Sequence, residues 1–446
     1  MSEAAARAIV ERLRAQGHQA LFAGGAVRDR LLGREAQDFD VATDAVPEVI
    51  MGLFPRHTAA GARFGVVLVH ELGASIEVAT FRTESSYRDG RHPGEVCYAA
   101  DPRQDVARRD FTINGLLLDP GSGEVLDWVG GRADLQAGVV RAIGDPERRF
   151  QEDRLRMLRA VRFAARLGFR IEPATLAAIQ AHAGKIVQIS PERIRDELLK
   201  MLTEGQARRA FELLDASGLL AAVLPEVAKM KGVEQPPQYH PEGDVWTHTL
   251  MMLAGLPHPV AATLALGVLL HDVGKPPTFR RAPDRIRFDR HAAIGARIAE
   301  AIGLRLRLSA SERAQVVALV AGHMRWPELP RMRESTLKRL LRQPDIAQHL
   351  TLLRLDCSMS HGDLSLYDQA QALLAALPPE LLHPPRLLTG DDLIAWGYAP
   401  GSVFRQILDA VEDAQLEGEL GDREAARRFV AERFPLPKAE NGRPRG

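Results

Sequence analysis

Two aspartates one residue apart, Asp38 and Asp40, are the first arrangement in this sequence that could perform chemistry. Because side chains alternate along a β-strand, both carboxylates are expected on one face of the strand that carries them. Paired carboxylates suit a divalent cation, and Mg²⁺ prefers one or two carboxylates together with phosphate oxygens of a substrate. Such a site stabilises the attacking and leaving oxygens of a displacement at phosphorus. Glu77, on a later predicted strand, is a candidate third carboxylate.

The turn before these aspartates has the composition of a phosphate site. Gly24 and Gly25 let the backbone approach a phosphate closely, and the helix that follows directs its N-terminus toward that phosphate. Arg28, one turn into this helix, could reach a triphosphate. Taken singly, Gly-Gly and Asp-x-Asp are more often ordinary turn residues. Their order along the chain is what indicates a site for phosphoryl or nucleotidyl transfer.

A second arrangement places Asp153 one turn before three arginines at three-residue intervals, Arg156, Arg159 and Arg162. Residues three apart share a helix face. A carboxylate only accepts hydrogen bonds and a guanidinium only donates them, so the pair matches a base edge that has an amino group beside a ring nitrogen. Cytosine and adenine both have such an edge. The alternative is a salt-bridged helix surface.

A third arrangement consists of histidines and aspartates with the order expected of a metal site. Imidazole and carboxylate ligands suit Mn, Fe, Ni or Zn, and a bound metal converts water into a nucleophile near neutral pH. A lone histidine on a helix is more often part of the core or the surface, but the ordered set favours a metal. Its members are His248, His271, Asp272, His291, His323 and Asp356.

The elements that must position these residues divide the chain into an α+β part and a helical part. The first 130 or so residues mix short strands with helices, whereas apolar residues after Arg141 recur at three- and four-residue spacing. We expect a head at residues 1–140, a helical neck at 141–235, a metal-binding helical domain at 236–380 and a helical tail at 381–446.

Composition excludes several classes of protein. The 446 residues are 46% hydrophobic and carry 58 basic and 58 acidic side chains, as an ordinary globular chain does. The longest apolar run, Val260–Leu270, is 11 residues long, whereas a membrane span needs about 20, so no membrane partner is expected. Two distant cysteines, Cys97 and Cys357, indicate a reducing, cytoplasmic compartment. Oligomeric state is not indicated.

The ordered motifs resemble those of the class II tRNA nucleotidyltransferases, which are the bacterial and eukaryotic CCA-adding enzymes and the bacterial poly(A) polymerases. Gly24–Asp29 and Asp38–Asp40 look like the catalytic signature, Arg82–Pro93 like the flexible loop that assists the switch to ATP, and Arg108–Gly115 like the sugar-recognition motif. Glu152–Arg156 resembles the nucleotide-reading motif, and Glu192–Ile194 opens the motif that follows it. The ordered histidines and aspartates, with the segments His240–His248 and Asp356–Asp363, look like the HD region fused to many of these enzymes.

The resemblance implies a polymerase-β-like nucleotidyltransferase head, followed by an all-α neck and body, an HD-type helical domain and a helical tail that binds tRNA. It implies CCA addition to tRNA 3′ ends from CTP and ATP, with Mg²⁺ on Asp38 and Asp40 and base reading by Asp153 and Arg156. Gly25, Arg28 and Arg109 would hold phosphate and sugar, Asp110 would contact the ribose, and Arg159 and Arg162 would contact phosphate or brace the pocket. The HD site would hold a transition metal or another divalent ion.

Several alternatives remain open at the level of the sequence. Gly61–Val67 is closer to the CCA-type stretch than to the basic stretch of poly(A) polymerases, although it departs from that pattern at Val66. Addition of A alone is compatible with all the motifs. Two other classes are an HD phosphohydrolase whose head only binds RNA and a non-catalytic RNA-binding scaffold.

Overall fold

The computed structural model describes residues 2–36, 38–84 and 96–436. Contacts between Cα atoms divide the chain into two compact units. The first comprises Met1–Val233, Thr249–Leu266 and Ala301–Ser309, and the second comprises Glu234–His248, Gly267–Glu300 and Ala310–Gly446. No helix in the described ranges is long and apolar enough to cross a membrane.

The first unit begins with a seven-stranded mixed sheet in the order β3-β4-β5-β2-β1-β8-β9. Pairing is antiparallel except between β2 and β5, which run parallel. The strands of the structure are β1 Ala20–Ala23, β2 Asp40–Thr43, β3 His57–Thr58, β4 Val66–Glu71, β5 Ala74–Thr80, β6 Arg82–Glu84, β7 Val96–Tyr98, β8 Leu117–Leu118, β9 Val125–Leu126, β10 Val139–Val140, β11 Arg170–Ile171, β12 Phe279–Arg281 and β13 Ile286–Phe288.

Helices and three two-stranded sheets, β6–β7, β10–β11 and β12–β13, make up most of the rest of the two units. Those up to the neck are α1 Ser2–Ala15, α2 Gly25–Leu31, α3 Pro47–Leu53, α4 Pro102–Ala107, α5 Gly131–Ala137, α6 Pro146–Glu152, α7 Leu155–Leu167, α8 Pro173–His182, α9 Pro191–Thr203, α10 Ala207–Ala216, α11 Leu219–Val223 and α12 Pro225–Ala228. Those that follow are α13 Val245–Ala254, α14 Ala262–Leu270, α15 Lys275–Thr278, α16 His291–Arg305, α17 Ala310–Gly322, α18 Glu334–Leu341, α19 Ile346–Met359, α20 Ser365–Ala376, α21 Pro379–Leu382, α22 Gly390–Ala395, α23 Ser402–Leu416 and α24 Arg423–Arg433.

The strand register brings the first arrangement of residues together. Ala23, the last residue of β1, pairs with Asp40, the first of β2, so the glycine turn lies beside that aspartate. β2 runs parallel to β5 with Val41 opposite Val78, which places Glu77 near the same end of β2. In β4 and β5 the buried side chains alternate, as the period of two requires, whereas all four residues of β1 are buried.

In the neck, α7 is the central helix, and it packs against α9 and α10. Its buried apolar face, which includes Met157, Leu158 and Val161, explains the three- and four-residue spacing seen in the sequence. The helix ends at Gly168, whose φ of 76° is the left-handed conformation that glycine adopts without a steric penalty.

The structure corrects two expectations about local structure and leaves a third untested. Asp38 precedes strand β2 instead of lying on it, and its side chain is exposed. Strand β11 and the β12–β13 hairpin were not expected after residue 141; the hairpin strands are arginine-rich and only three residues long, so they lack an alternating pattern. The Arg82–Pro93 motif falls mostly at positions 85–95, outside the described residues.

Candidate functional site

A cavity of about 640 Å³ opens in the first unit between the sheet and the neck helices. Eight arginines and three aspartates line it, so its charge suits a polyanion such as a triphosphate. The lining residues are Gly24, Gly25, Arg28, Asp40, Phe64, Arg82, Arg108, Arg109, Asp110, Asn114, Asp153, Leu155, Arg156, Arg159, Phe163, Arg166 and Arg193.

At one side of this cavity Asp40 lies against the glycine turn. A Cβ atom on Gly24 would stand 3.3 Å from Asp40 Oδ2, and Gly24 has a φ of 69°, so this position favours glycine on two grounds. Burial, together with the negative charges of Glu77 and Asp38, raises the pKa of Asp40 to about 6, while Arg109 opposes the shift. The three carboxylates therefore interact electrostatically, although Asp38 and Glu77 are exposed and do not line the cavity.

A carboxylate whose charged form is disfavoured by other carboxylates gains from a cation placed among them. The donor set of Asp38, Asp40 and Glu77 consists of oxygen atoms only, which is the chemistry that Mg²⁺ prefers. The chemistry of these donors suits a hard divalent cation, and the magnesium role of the three residues stays a prediction.

Beside Asp40, a buried chain of hydrogen bonds orients the polar groups of the cavity. Arg28 donates to Asp29 Oδ1 and to Asn114 Oδ1, each at 2.8 Å. Asn114 Nδ2 donates to Asp110 Oδ1 at 3.0 Å, and Arg159 donates to Asp110 Oδ2 at 2.8 Å. Burial alone would raise the pKa of Asp110, but the charge of Arg159 and the hydrogen bond from Asn114 hold it below its usual value. Asp110 is thus kept as an anion.

Arg109 is held at the cavity by a second buried carboxylate. Asp105, with a relative exposure of 1%, accepts from Arg109 Nη2 at 2.9 Å and from Arg108 Nη2 at 2.6 Å. Arg109 Nη1 also donates to the carbonyl oxygen of Asn114 at 3.3 Å. Asp105 therefore orients both arginines, and both line the cavity.

Asp153, which also lines the cavity, lies between helices α6 and α7 in extended backbone, with φ −144° and ψ 107°. The sequence placed it one turn before Arg156 on the same helix, and this is wrong because α7 begins only at Leu155. Asp153 pairs with Arg193 of α9, through Oδ2 and Nη2 at 2.9 Å. Arg156 instead donates to Glu152 at 3.0 Å and to the carbonyl oxygen of Arg108 at 2.8 Å.

Arg162, unlike Arg156 and Arg159, does not line the cavity. Its side chain is buried, is absent from the lining of the cavity, and donates to Glu197 Oε2 at 2.7 Å. A buried pair of this kind fits the bracing function that the sequence offered as one of two options, and not contact with a phosphate.

Sequence reasoning missed several residues that the cavity brings together. Arg193 and Asn114 lie inside motifs that the sequence singled out, but only the fold reveals their partners, which are 40 and 86 positions away. Other residues of the lining that had no assigned role are Phe64, Arg82, Arg108, Leu155, Phe163 and Arg166.

In the second unit the histidines and aspartates of the third arrangement do meet. Asp272 lies at the centre: its Oδ1 is 3.6 Å from Nε2 of both His291 and His323, and its Oδ2 is 3.1 Å from Nε2 of His271. His248 Nε2 lies 3.1 Å from Asp356 Oδ1. Two candidate ligand sets share Asp272, one with His248 and His271 and the other with His291 and His323.

Three of these histidines are oriented as metal ligands are. Nδ1 of His271, His291 and His323 each lies 2.7–2.9 Å from a backbone carbonyl oxygen to which it can donate, which leaves Nε2 to bind a metal. Asp272 Oδ1 is buried and has no hydrogen-bond partner among the described residues. The donor set therefore fits a transition metal. Burial lowers the pKa of His291 to about 4, which keeps the imidazole neutral.

Glu242, which the sequence did not single out, lies behind this cluster. Its Oε1 is 2.6 Å from His248 Nδ1 and 2.9 Å from His240 Nδ1. A cavity of about 440 Å³ adjoins the cluster and is lined by Asp272, His291, His323 and Asp356, by basic side chains, and by an apolar wall that includes Phe288, Met324 and Leu353.

Sequence families of known proteins match three successive parts of the chain. The poly A polymerase head domain matches residues 20–141, the probable RNA- and SrmB-binding site of polymerase A matches 168–231, and the HD domain matches 245–350. The fold and its sites thus define a polymerase-β-like nucleotidyltransferase head followed by a helical body with an HD domain, and the predicted fold class is confirmed.

The relatives of this chain are CCA-adding enzymes, which confirms the resemblance to class II tRNA nucleotidyltransferases. The enzyme of Levilactobacillus brevis is 46% identical over 202 residues, covering 45% of this chain and 50% of the relative. That of Geobacillus stearothermophilus is 43% identical over 220 residues, covering 49% and 54%. The matched part spans about half the length of these curated relatives.

Solved structures extend the likeness over nearly the whole chain. The crystal structure of the Bacillus stearothermophilus CCA-adding enzyme in complex with CTP has a TM-score of 0.71 and 28% identity, and the match covers 96% of this chain and 97% of that one. The Thermotoga maritima CCA-adding enzyme complexed with tRNA-CCA has a TM-score of 0.54 and 18% identity, over 96% and 94%. The second comparison supports the fold alone.

Proposed function

We propose that this protein is a template-independent tRNA nucleotidyltransferase that adds CCA to tRNA 3′ ends from CTP and ATP and releases pyrophosphate in the cytoplasm. The observation that carries the proposal is that one cavity is lined by Asp40, by Asp153 and Arg156, and by seven further arginines. Together these side chains offer partners for the phosphates, the sugar and the base of one nucleoside triphosphate.

At the phosphate side, Asp38 and Asp40 bind Mg²⁺, with Glu77 as a third carboxylate. The ion supplies charge stabilisation for the attacking 3′ oxygen and the leaving pyrophosphate. Gly25 leaves room for the backbone to approach a phosphate, while Arg28 and Arg109 bind the triphosphate from orientations fixed by Asp29, Asn114 and Asp105. Because these donors are already oriented, little reorganisation is needed when charge develops on the phosphates.

Near the sugar, the anion of Asp110 accepts a hydrogen bond from a ribose hydroxyl. At the base side, Asp153 accepts a hydrogen bond from the amino group of cytosine or adenine, and Arg156 donates to the ring nitrogen. Arg193 uses Oδ2 of Asp153 once, which leaves a lone pair on that oxygen for the base. Uracil and guanine present a ring N–H that Arg156 cannot satisfy, so both are rejected.

The test is incubation with a tRNA that ends at the discriminator base, together with CTP and ATP. Ordered addition of C, C and A supports the proposal. Addition of A only to tRNA that already ends in CC would assign the protein to the A-adding enzymes, and long A runs would assign it to the poly(A) polymerases.

A second activity is favoured by the histidine cluster of the HD domain. We propose that this site holds a transition metal or another divalent ion and hydrolyses phosphate esters. The open cavity beside Asp272 and Asp356 gives a substrate access to the cluster. Turnover of bis-p-nitrophenyl phosphate with Mn²⁺ or Ni²⁺ that is lost in D272N and retained in D40N supports this activity. No turnover with any divalent metal would reduce the domain to a binding fold.

A further inference from the structure

Phe163 is a buried side chain of α7, with a relative exposure of 5%, that also forms part of the lining of the nucleotide cavity. Three guanidinium groups approach its ring. The distances from the guanidinium carbon to the ring centroid are 5.2 Å for Arg28, 5.2 Å for Arg159 and 4.4 Å for Arg162. Each is within the distance of about 6 Å at which a cation is attracted to the face of an aromatic ring.

Each of these arginines has a different carboxylate partner. Arg28 pairs with Asp29 of α2, Arg159 with Asp110 after α4, and Arg162 with Glu197 of α9. The carboxylates compensate charge, and the hydrogen bonds of Asn114 and Asp110 link Arg28 to Arg159. The ring of Phe163 is a contact that all three arginines share.

The ring of Phe163 also contacts a second aromatic ring, that of Phe111. The ring of Phe111 meets it edge to face, with centroids 6.0 Å apart and an interplanar angle of 78°. Phe111 is fully buried and follows Asp110 directly. The ring is therefore anchored to the segment that carries the carboxylate partner of Arg159.

We propose that Phe163 is a positioning residue for the nucleotide site: its π face fixes Arg28 and Arg159 in orientations that bind the triphosphate. It acts through these arginines and touches no reacting atom. The inference rests on the proposed function of the cavity. The competing explanation is that Phe163 only fills space in the neck, in which case the electron density of its ring is irrelevant.

Stepwise fluorination separates the two explanations, because fluorine keeps the shape of the ring and withdraws electron density from its face. The full-length protein is prepared with 4-fluoro-, 3,5-difluoro- and 3,4,5-trifluorophenylalanine at position 163. The same series at Phe211, a buried core residue of α10, is the control for changes in packing. Unfolding in urea checks that each variant is folded.

We expect KM for both CTP and ATP to rise with each added fluorine, by about tenfold over the series, since a desolvated cation–π contact contributes on that scale. The value of kcat should change less than KM, and the Phe211 series should leave both constant. A flat KM across the Phe163 series would overturn the inference, as would an equal response at Phe211.

The outcome remains informative if the proposed function fails. When the wild type adds nucleotides but the fluorine series is flat, only the positioning role is rejected. When the wild type adds no nucleotide, calorimetric binding of CTP replaces the kinetic measurement. A Kd that rises with fluorination then supports the positioning role without the activity, whereas no binding of CTP by the wild type rejects both.

Discussion

The carboxylate of Asp153 is bound by the guanidinium of Arg193, 2.9 Å from Oδ2 to Nη2, and not by Arg156 three residues away. The two groups proposed to read the base are therefore oriented by different partners: Asp153 by α9, and Arg156 by Glu152 and the backbone of Arg108. The hydrogen-bond pattern offered to a base depends on how α9 packs against α7, which are neighbouring helices of the neck.

Replacement of Arg193 should therefore weaken discrimination between nucleotides. We expect R193A to lower selectivity for CTP and ATP over UTP and GTP by about tenfold. Without the hydrogen bond from Arg193, the carboxylate of Asp153 is no longer held in one orientation as an acceptor for the base. R193K keeps the charge but loses the second hydrogen bond, which Arg193 Nη1 donates to Asp153 Oδ1 at 3.4 Å, so an intermediate loss is expected. Competition among the four nucleotides measures the effect, with D153A as the reference.

The control for this prediction is R208A, which removes an exposed arginine paired with Glu212 on α10. It should leave selectivity unchanged. Selectivity that is retained in R193A but lost in D153A would contradict the prediction, because base reading by Asp153 would then not depend on its contact with Arg193 of α9.

Mutation of Arg159 should mainly affect KM, whereas mutation of Arg162, one turn away on α7, should mainly affect stability. R162A leaves Glu197 buried without its cation, and the loss of one partner of a buried pair costs about 3–5 kcal/mol of stability. R159A removes a cation that lines the cavity, so KM for CTP should rise while the free energy of unfolding falls less. Urea unfolding and steady-state kinetics on both variants test this contrast. A larger rise of KM in R162A than in R159A would contradict it.

Glu242 should tighten metal binding at the HD site by orienting His248. The carboxylate is 2.6 Å from His248 Nδ1, and outer partners of this kind contribute about 10- to 100-fold to metal affinity. We expect E242Q to raise the Kd for Mn²⁺ by that factor in calorimetry, in a background of D38N and D40N that silences the head site. E300Q, which alters a half-buried pair with Arg313, is the matched control. Equal affinities in E242Q and E300Q would reject the role.

His349 should make stability depend on pH between about 4 and 6.5. Burial lowers the pKa of this histidine from 6.5 to about 4 in the folded state. The unfolded chain therefore binds a proton first as pH falls, so stability is complete above 6.5 and declines as pH approaches 4. Between pH 7.5 and 5.0 this group should contribute a loss of about 2 kcal/mol, which H349Q removes. Parallel pH curves for the wild type and H349Q would contradict this.

The sequence predicted much of the fold because its signals are local. The alternation of apolar and polar residues predicted strands β4 and β5. Apolar residues at three- and four-residue spacing predicted helices α7 and α9 to within a few residues of their ends. The clustering of the histidines with Asp272 could be predicted because histidines and aspartates in this order are rare by chance. The β12–β13 hairpin escaped because its strands carry arginines where apolar residues would mark them.

The rest depends on contacts between distant residues. Nothing near Asp153 indicates that Arg193 is its partner, and nothing near His248 indicates which carboxylate holds its second nitrogen. The boundaries of the four predicted domains remain a prediction, because the two compact units do not follow the order of the chain. Thr249–Leu266 belongs to the first unit, although it lies within the part of the chain that matches the HD domain.

The most direct test of the central claim is nucleotide addition to a CCA-less tRNA by the wild type and by D40N, with and without Mg²⁺. We expect the wild type to add C, C and A only with the metal, and D40N to add nothing. Since the pKa of Asp40 is raised to about 6, its charge destabilises the metal-free fold at pH 7.5, so D40N should also unfold at a higher temperature there. That gain should shrink as pH falls below 6 and vanish near pH 4. CCA addition that persists in a folded D40N protein would contradict the claim.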